Sequence, residues 1–238
     1  MKNFLIYGIS RGLGRAITLS IPQIEDTVYG VSRSLPDYLV DKEYVKWIGA
    51  DLSRPVEAVS KVKEVVGSAK IDYLIYNVGI WEHNAFEENY SFDRNSEKEI
   101  QQMIQVNITS SILAIQAFIS NLKKSDNAKI ILIGSTWGLD NHQGKEVVFS
   151  ASKFALRGIV HALRESLRTS RIGISVINLG YLASEYSIET PIEEVLESTG
   201  RSLIPMQDVI SAIKFVLSTS NATCVKEINM PAMQDTNV

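Results

Sequence analysis

Short apolar runs and longer amphipathic stretches alternate along the whole chain. Phe4–Tyr7, Thr27–Ser32, Tyr44–Ile48, Ile71–Tyr76, Lys129–Ile133, Ile174–Asn178 and Val225–Asn229 are short runs rich in β-branched and aromatic residues, and each reads as a strand. Between them, Leu13–Ile21, Pro55–Val66, Glu97–Leu122, Phe149–Arg168 and Pro205–Ser218 carry apolar residues at helical spacing. Pro22 closes the first helix, and Pro55 sits early in the second, where a missing N–H costs little. Glu97–Leu122 is long enough that a break is expected within it. Glu82–Asn95 is polar and reads as loop, and Ser184–Arg201 is the least regular segment, read as a mobile flap. Strands apolar on both faces, joined by amphipathic crossovers, predict an α/β fold with one doubly wound parallel sheet. About seven strands, helices on both faces and a single domain over residues 1–238 are expected.

Composition narrows the function. Hydrophobic residues make up 45% of 238, enough for a substantial core without staples. The net charge of −3 and the absence of any Lys/Arg block argue against a nucleic-acid partner. Cys224 is the one cysteine, so no intramolecular disulfide forms and a reducing compartment is expected. Met1-Lys2-Asn3-Phe4 leads straight into a strand without the apolar stretch and cleavage site of a secretory signal. No continuous apolar run approaches the roughly 20 residues of a bilayer span. A cytoplasmic location away from membranes is expected. His83 and His161 sit in no cluster with metal-ligand spacing, so no metal is expected.

Chemistry gathers at the predicted strand ends. Gly8-Ile9-Ser10-Arg11-Gly12-Leu13-Gly14 follows the first strand and opens a helix. Such glycines permit a tight turn and bring backbone N–H groups toward a pyrophosphate at a helix N-terminus. The spacing, G-x-x-x-G-x-G, differs from the commoner G-x-G-x-x-G, and taken alone it serves equally as turn chemistry. After the second strand comes Val31-Ser32-Arg33-Ser34, without the carboxylate that usually takes an NAD ribose. Arg33, with Arg11 in reach, favours a 2′-phosphate and hence NADP(H) over NAD(H); solvated loop charges are the plain alternative. Asp51-Leu52 and Asn77-Val78-Gly79 stand at the ends of strands three and four, as adenine and ribose contacts or as ordinary turn residues.

The ordered set Gly8-x3-Gly12-x-Gly14, Asp51, Asn77-Val78-Gly79, Asn107, Ser135, Lys153 and Asn178-Leu179-Gly180 resembles the short-chain dehydrogenase/reductase family from Lys2 to about Pro231. The resemblance implies a Rossmann-type sheet, Gly180 at the cofactor, and homodimers or homotetramers built on the two long helices. It also implies a catalytic Asn, Ser, Tyr and Lys. Tyr and Lys four apart share one helix face. The Lys holds the ribose and lowers the phenol's pKa, and the phenol exchanges a proton with the substrate oxygen while hydride moves. The Ser orients that oxygen, and the Asn anchors a water chain. By this resemblance Asn107, Ser135 and Lys153 carry the family roles.

The tyrosine position holds Phe149, within Phe149-Ser150-Ala151-Ser152-Lys153. Tyr7 and Leu179 also depart from the family, which usually has Thr and Pro there. A benzene ring has no acidic proton, and losing a general acid costs about 10²–10⁴-fold. Three accounts stand open: an introduced substitution that traps a complex; a natural residue with the acid supplied by water, Ser135, Tyr181, Tyr186 or His142; or a cofactor site that has lost its redox step. The expectation is an NADP(H)-dependent oxidoreductase acting on a small carbonyl or alcohol, with a silent NADP-binding sensor or subunit as the alternative. Trp81 and Trp137 are candidates for a pocket wall, and 184–201 for the substrate loop.

Overall fold

The structure is a computed structural model that describes residues 1–140 and 142–236. Seven strands form one sheet: β1 (Asn3–Tyr7), β2 (Thr27–Ser32), β3 (Val45–Gly49), β4 (Tyr73–Tyr76), β5 (Lys129–Ser135), β6 (Gly173–Leu179) and β7 (Glu227–Met230). Their order is β3-β2-β1-β4-β5-β6-β7, and every pairing is parallel. Chain progression reverses direction between β1 and β4. At such a reversal, crossovers leave toward opposite sides and a crevice opens beyond the strand C-termini.

Alternation along β1 explains the two cores. Leu5 and Tyr7 face the helices α2 (Pro55–Val66), α4 (Ser110–Leu122) and α5 (Val147–Ser166), whose Val62, Phe118 and Leu156 are buried with them. Phe4 and Ile6 face α1 (Gly12–Ser20) and α7 (Met206–Ser218), packing with Ile17, Val209 and Ile213. Each such aliphatic side chain, fully buried, contributes about 1.5–3 kcal/mol, so the sheet is held from both sides.

The break expected in Glu97–Leu122 is real. α3 (Glu97–Ile104) passes through a π-turn at Gln105–Thr109 into α4. The combined helix has the length and composition to cross a membrane. Its apolar face is instead engaged inside the fold, where Ala114, Ile115, Phe118 and Leu122 are all buried.

Two boundaries shift. α5 begins at Val147, ahead of Phe149, because the buried Glu82 carboxylate accepts the N–H groups of Val148 and Phe149 (2.8 and 3.1 Å) and caps the helix from a distant loop. The segment 184–201, expected to be irregular, contains the short helix α6 (Ile192–Ser198). Pro191 precedes it, Glu193 and Glu194 complement the dipole of its first turn, and Val195 is its buried anchor. The glutamates that make this stretch look unpatterned are thus part of its helix signal.

Close packing between β1 and α1 sets the height of the crevice floor. A Cβ on Gly14 would overlap the Gly8 carbonyl. Gly14→Ala is expected to lower the unfolding free energy by about 1–3 kcal/mol in urea titrations; a loss below about 0.5 kcal/mol would mean the turn relaxes freely.

Candidate active site

The loop from β1 to α1 starts at Gly8, whose φ of 86° lies where side chains are strained. The N–H groups of Gly8 and Ile9 return to the Val31 carbonyl (2.8 and 3.3 Å), which folds the loop over β2. α1 has no side-chain cap and no acid in its first turn. Its positive end therefore faces the crevice uncompensated, an arrangement suited to phosphate.

Above this loop lies a cavity of about 770 Å³. It is lined by Gly8, Ser10, Arg11, Gly12, Leu13, Arg33, Asp51, Leu52, Asn77, Gly79, Phe149 and Lys153, all singled out by sequence. Tyr186 and Trp81 also lie on its wall. Arg15 lies there too and was missed; it stands one turn after Arg11 on α1, with its guanidinium 5.2 Å from the centre of the Tyr38 ring. Helical spacing from Arg11 was the available signal. The Ser53 N–H holds Asp51 below the usual carboxylate range, with Arg33 and Arg54 adding to the effect against partial desolvation. The flap passes overhead, Ser184 to Ile188 forming part of the wall, and Gln207 donates to the carbonyls of Ile188 and Thr190 (3.0 and 2.7 Å).

Four residues expected at the cofactor or in catalysis do not line the cavity, nor does Trp137, expected on the pocket wall. Gly14 is packed on Gly8, and Gly180 lies against Pro231 and Ala232, so its backbone faces the C-terminal segment. Asn107 sits in the π-turn, where its amide accepts from Ile80 N–H (2.8 Å) and donates to Ile80 O (2.8 Å) and Ser152 Oγ (3.0 Å). Those bonds clamp the chain after β4. Ser135 is buried at the end of β5, its hydroxyl accepting from the Trp137 N–H at 3.2 Å.

Lys153 is the buried cation of the site. Its Nζ donates to the Ile133 carbonyl at 3.4 Å, two residues before Ser135, and lies 5.2 Å from the centre of the Phe149 ring. Burial pushes its pKa down to about 8. The Phe149 face offsets part of that cost by cation–π attraction.

Phe149 opens onto a cluster of rings. Trp81 and Phe86 meet it edge-on at 6.3 and 5.8 Å, and Phe86 also touches Trp137 and Tyr181. His142 stacks on Trp137 at 6.3 Å, and its Nδ1 accepts the Gly144 N–H. Two buried acids brace the cluster: Glu82 as the cap of α5, and Glu146 accepting Phe86 N–H (2.8 Å) and the Trp137 indole N–H (2.7 Å). Sequence reading missed Glu82, Phe86 and Glu146, because nothing in a polar loop marks a carboxylate that folding will bury.

Residues 2–194 match the sequence model of the short chain dehydrogenases. The chain is 27% identical over 186 residues to the 3-oxoacyl-(acyl-carrier-protein) reductase of Buchnera aphidicola subsp. Schizaphis graminum, covering 76% of this chain and 73% of that one. Its fold is similar to that of a Bacillus thuringiensis protein assigned as a 3-oxoacyl-reductase, with a TM-score of 0.85 and 20% identity over 100% of both chains. It is also similar to 4-hydroxyisoleucine dehydrogenase complexed with NADH (TM-score 0.78, 20% identity, 98% of both chains). A tyrosine-to-phenylalanine variant of ElxO with NADPH bound gives a TM-score of 0.77 at 18% identity over 96% of both chains. At these identities the structural likeness speaks for the fold alone.

The buried ammonium has a measurable signature. It binds its proton less readily folded, near 8, than at its ordinary 10.5. The destabilisation is therefore full below pH 8 and fades as the pH rises toward 10.5. Lys153→Met is expected to raise stability at pH 7 by on the order of 1–3 kcal/mol. Denaturation curves should converge with those of the native protein above pH 10; a gap that does not change with pH would refute the burial effect.

Proposed function

Because the chain belongs to the short-chain dehydrogenase family, we propose that it is an NADP(H)-dependent oxidoreductase acting on a carbonyl or alcohol. The observation that carries the cofactor choice is the cavity wall, where Arg11, Arg15 and Arg33 face a nucleotide-sized space and β2 ends in Ser32-Arg33 without an acid. The cavity volume, the uncapped α1 N-terminus and buried Lys153 all fit such a cofactor. When bound, NADP(H) supplies or accepts the hydride.

The chain's own residues do the rest. The first N–H groups of α1, with Arg11, hold the pyrophosphate. Arg33 and Arg15 neutralise the 2′-phosphate. Asp51 and Leu52 border the adenine, and Asn77 and Gly79 its ribose. Lys153 holds the nicotinamide ribose and supplies positive charge, and Ser135 orients the substrate oxygen once its loop shifts. The proton normally given by a phenol comes from elsewhere or passes slowly, since Phe149 has none to give. Exposed Ile112 on α4 and Phe154 on α5 support pairing of copies through these helices as a homodimer or homotetramer. Lone Cys224 supports a cytoplasmic setting.

A second reading rests on Ser135 and Phe149 together. With the hydroxyl engaged behind the wall and no phenol, the chain would serve as a catalytically silent NADP-binding sensor or subunit.

NADPH fluorescence titration tests both readings. Binding of NADPH tighter than NADH is expected, and Arg33→Ala should weaken NADPH by about 10-fold or more with little effect on NADH. Equal loss for both cofactors would defeat the 2′-phosphate assignment, and binding of neither would defeat both readings. Phe149→Tyr separates the two. A gain in carbonyl reduction of about 10²-fold or more identifies a poised reductase, whereas tight NADPH binding with no gain identifies the silent binder.

A further inference from the structure

The open cavity ends at Trp81 and Phe149. Next to that wall the space is already filled, by the side chain of Phe86. Its ring is the hub of four contacts, 5.9 Å from Trp81, 5.6 Å from Trp137, 5.8 Å from Phe149 and 6.1 Å from Tyr181. All four are edge contacts, with interplanar angles of 63° to 89°. This is the arrangement the quadrupoles of aromatic rings favour. The enclosing rings come from three strand-end loops and from α5, so the seat is assembled by the fold and not by one local segment.

Phe86 itself is held against backbone strain. Its backbone lies at a φ of 67°, in the left-handed region that disfavours a bulky side chain. Phe86 is 41% exposed, lying between the buried rings of Trp137 and Phe149 (4% and 7%) and the outer rings of Trp81 and Tyr181 (53% and 37%). One backbone bond, to Glu146, pins it. Both buried acids are turned to structural bonds: Glu146 on the Trp137 indole and the Phe86 N–H, and one oxygen of Glu82 on the start of α5. The groups that touch the Phe86 ring are themselves rings.

We propose that Phe86 occupies, as an internal stand-in, a binding seat for a planar aromatic ring, and that the site takes a substrate bearing such a ring once the loop beyond Glu82, from Phe86 to Asn95, withdraws. This rests on the reading of the cavity as a cofactor site only in calling the guest a substrate; the ring seat itself is independent of it. The seat places the guest's ring against Phe149 and Trp81, at the border of the cavity that Lys153 also lines. An aromatic alcohol or carbonyl is therefore the chemical class it fits. The strained Phe86 backbone relaxes on leaving, which offsets part of the cost of opening.

Two probes of similar size separate aromatic recognition from mere apolarity: benzyl alcohol and cyclohexylmethanol. Binding is read from tryptophan emission, two of the three tryptophans being Trp81 and Trp137. Phe86→Ala is expected to bind benzyl alcohol about 10-fold more tightly than the native protein and about 5-fold more tightly than it binds cyclohexylmethanol. Phe86→Leu, which keeps an apolar plug without a ring, should fall between. In the native protein, saturating benzyl alcohol should speed trypsin cleavage at exposed Arg94 in the same loop. Equal affinity for the two probes, or no binding by either variant while its melting curve stays cooperative, overturns the proposal. So does an unchanged cleavage rate at Arg94. NADPH titration of the same proteins keeps the inferences apart: loss of NADPH binding everywhere strikes the cofactor reading, and the probe comparison still decides the ring seat.

Discussion

A parallel sheet whose strand order reverses beside β1 has to open above its C-terminal edge, and what fills the opening depends on how closely α1 can approach. Gly14 against the Gly8 carbonyl is that approach. With any side chain there, α1 would ride outward, and its uncapped N–H groups would no longer point across the crevice. The Gly8 N–H fastened to Val31 fixes the loop laterally, and the Gly8 carbonyl lies 3.4 Å from the Asn77 amide beyond β4. Floor, side wall and rear wall of the cavity thus share one backbone contact, and the arginines above it inherit their positions from it.

Much of this was legible because periodicity and backbone demands leave marks in sequence. The seven strands and the long helices follow from apolar spacing, and the break before Ser110 is implied by the length of Glu97–Leu122. Gly8 and Gly12 announced positive φ, at 86° and 51°. Less legible was anything whose meaning depends on a distant partner. Glu82 reads as a solvated loop acid until folding places it on the α5 N-terminus, 66 residues away. Nothing in the spacing announces that the Asn107 amide is engaged by the Ile80 main chain. Nor does it announce that a Cβ on Gly180 would press on the C-terminal segment crossing it. Helix α6 stayed hidden because only Val195 is deeply buried along it.

The phenyl ring of residue 149 bears on the lysine beside it as well as on the wall. A hydroxyl next to Lys153 would offer the ammonium a hydrogen-bond acceptor; the phenyl face offers only a weaker, undirected attraction. The same ring then finds aromatic neighbours in Trp81 and Phe86. The chemistry of Phe149 therefore agrees with the aromatic character of the surrounding wall.

The tether from Gln207 to the flap has a kinetic meaning. Ser184–Ile188 borders the cavity, while the carbonyls of Ile188 and Thr190 are gripped from α7, which packs with Ile188 in the core on the α1 side of the sheet. To lift the flap, both bonds must break together. The dwell time of any molecule beneath it would then depend partly on one glutamine amide in the first turn of α7, so a change in that helix would alter the pace of release without touching the molecule itself.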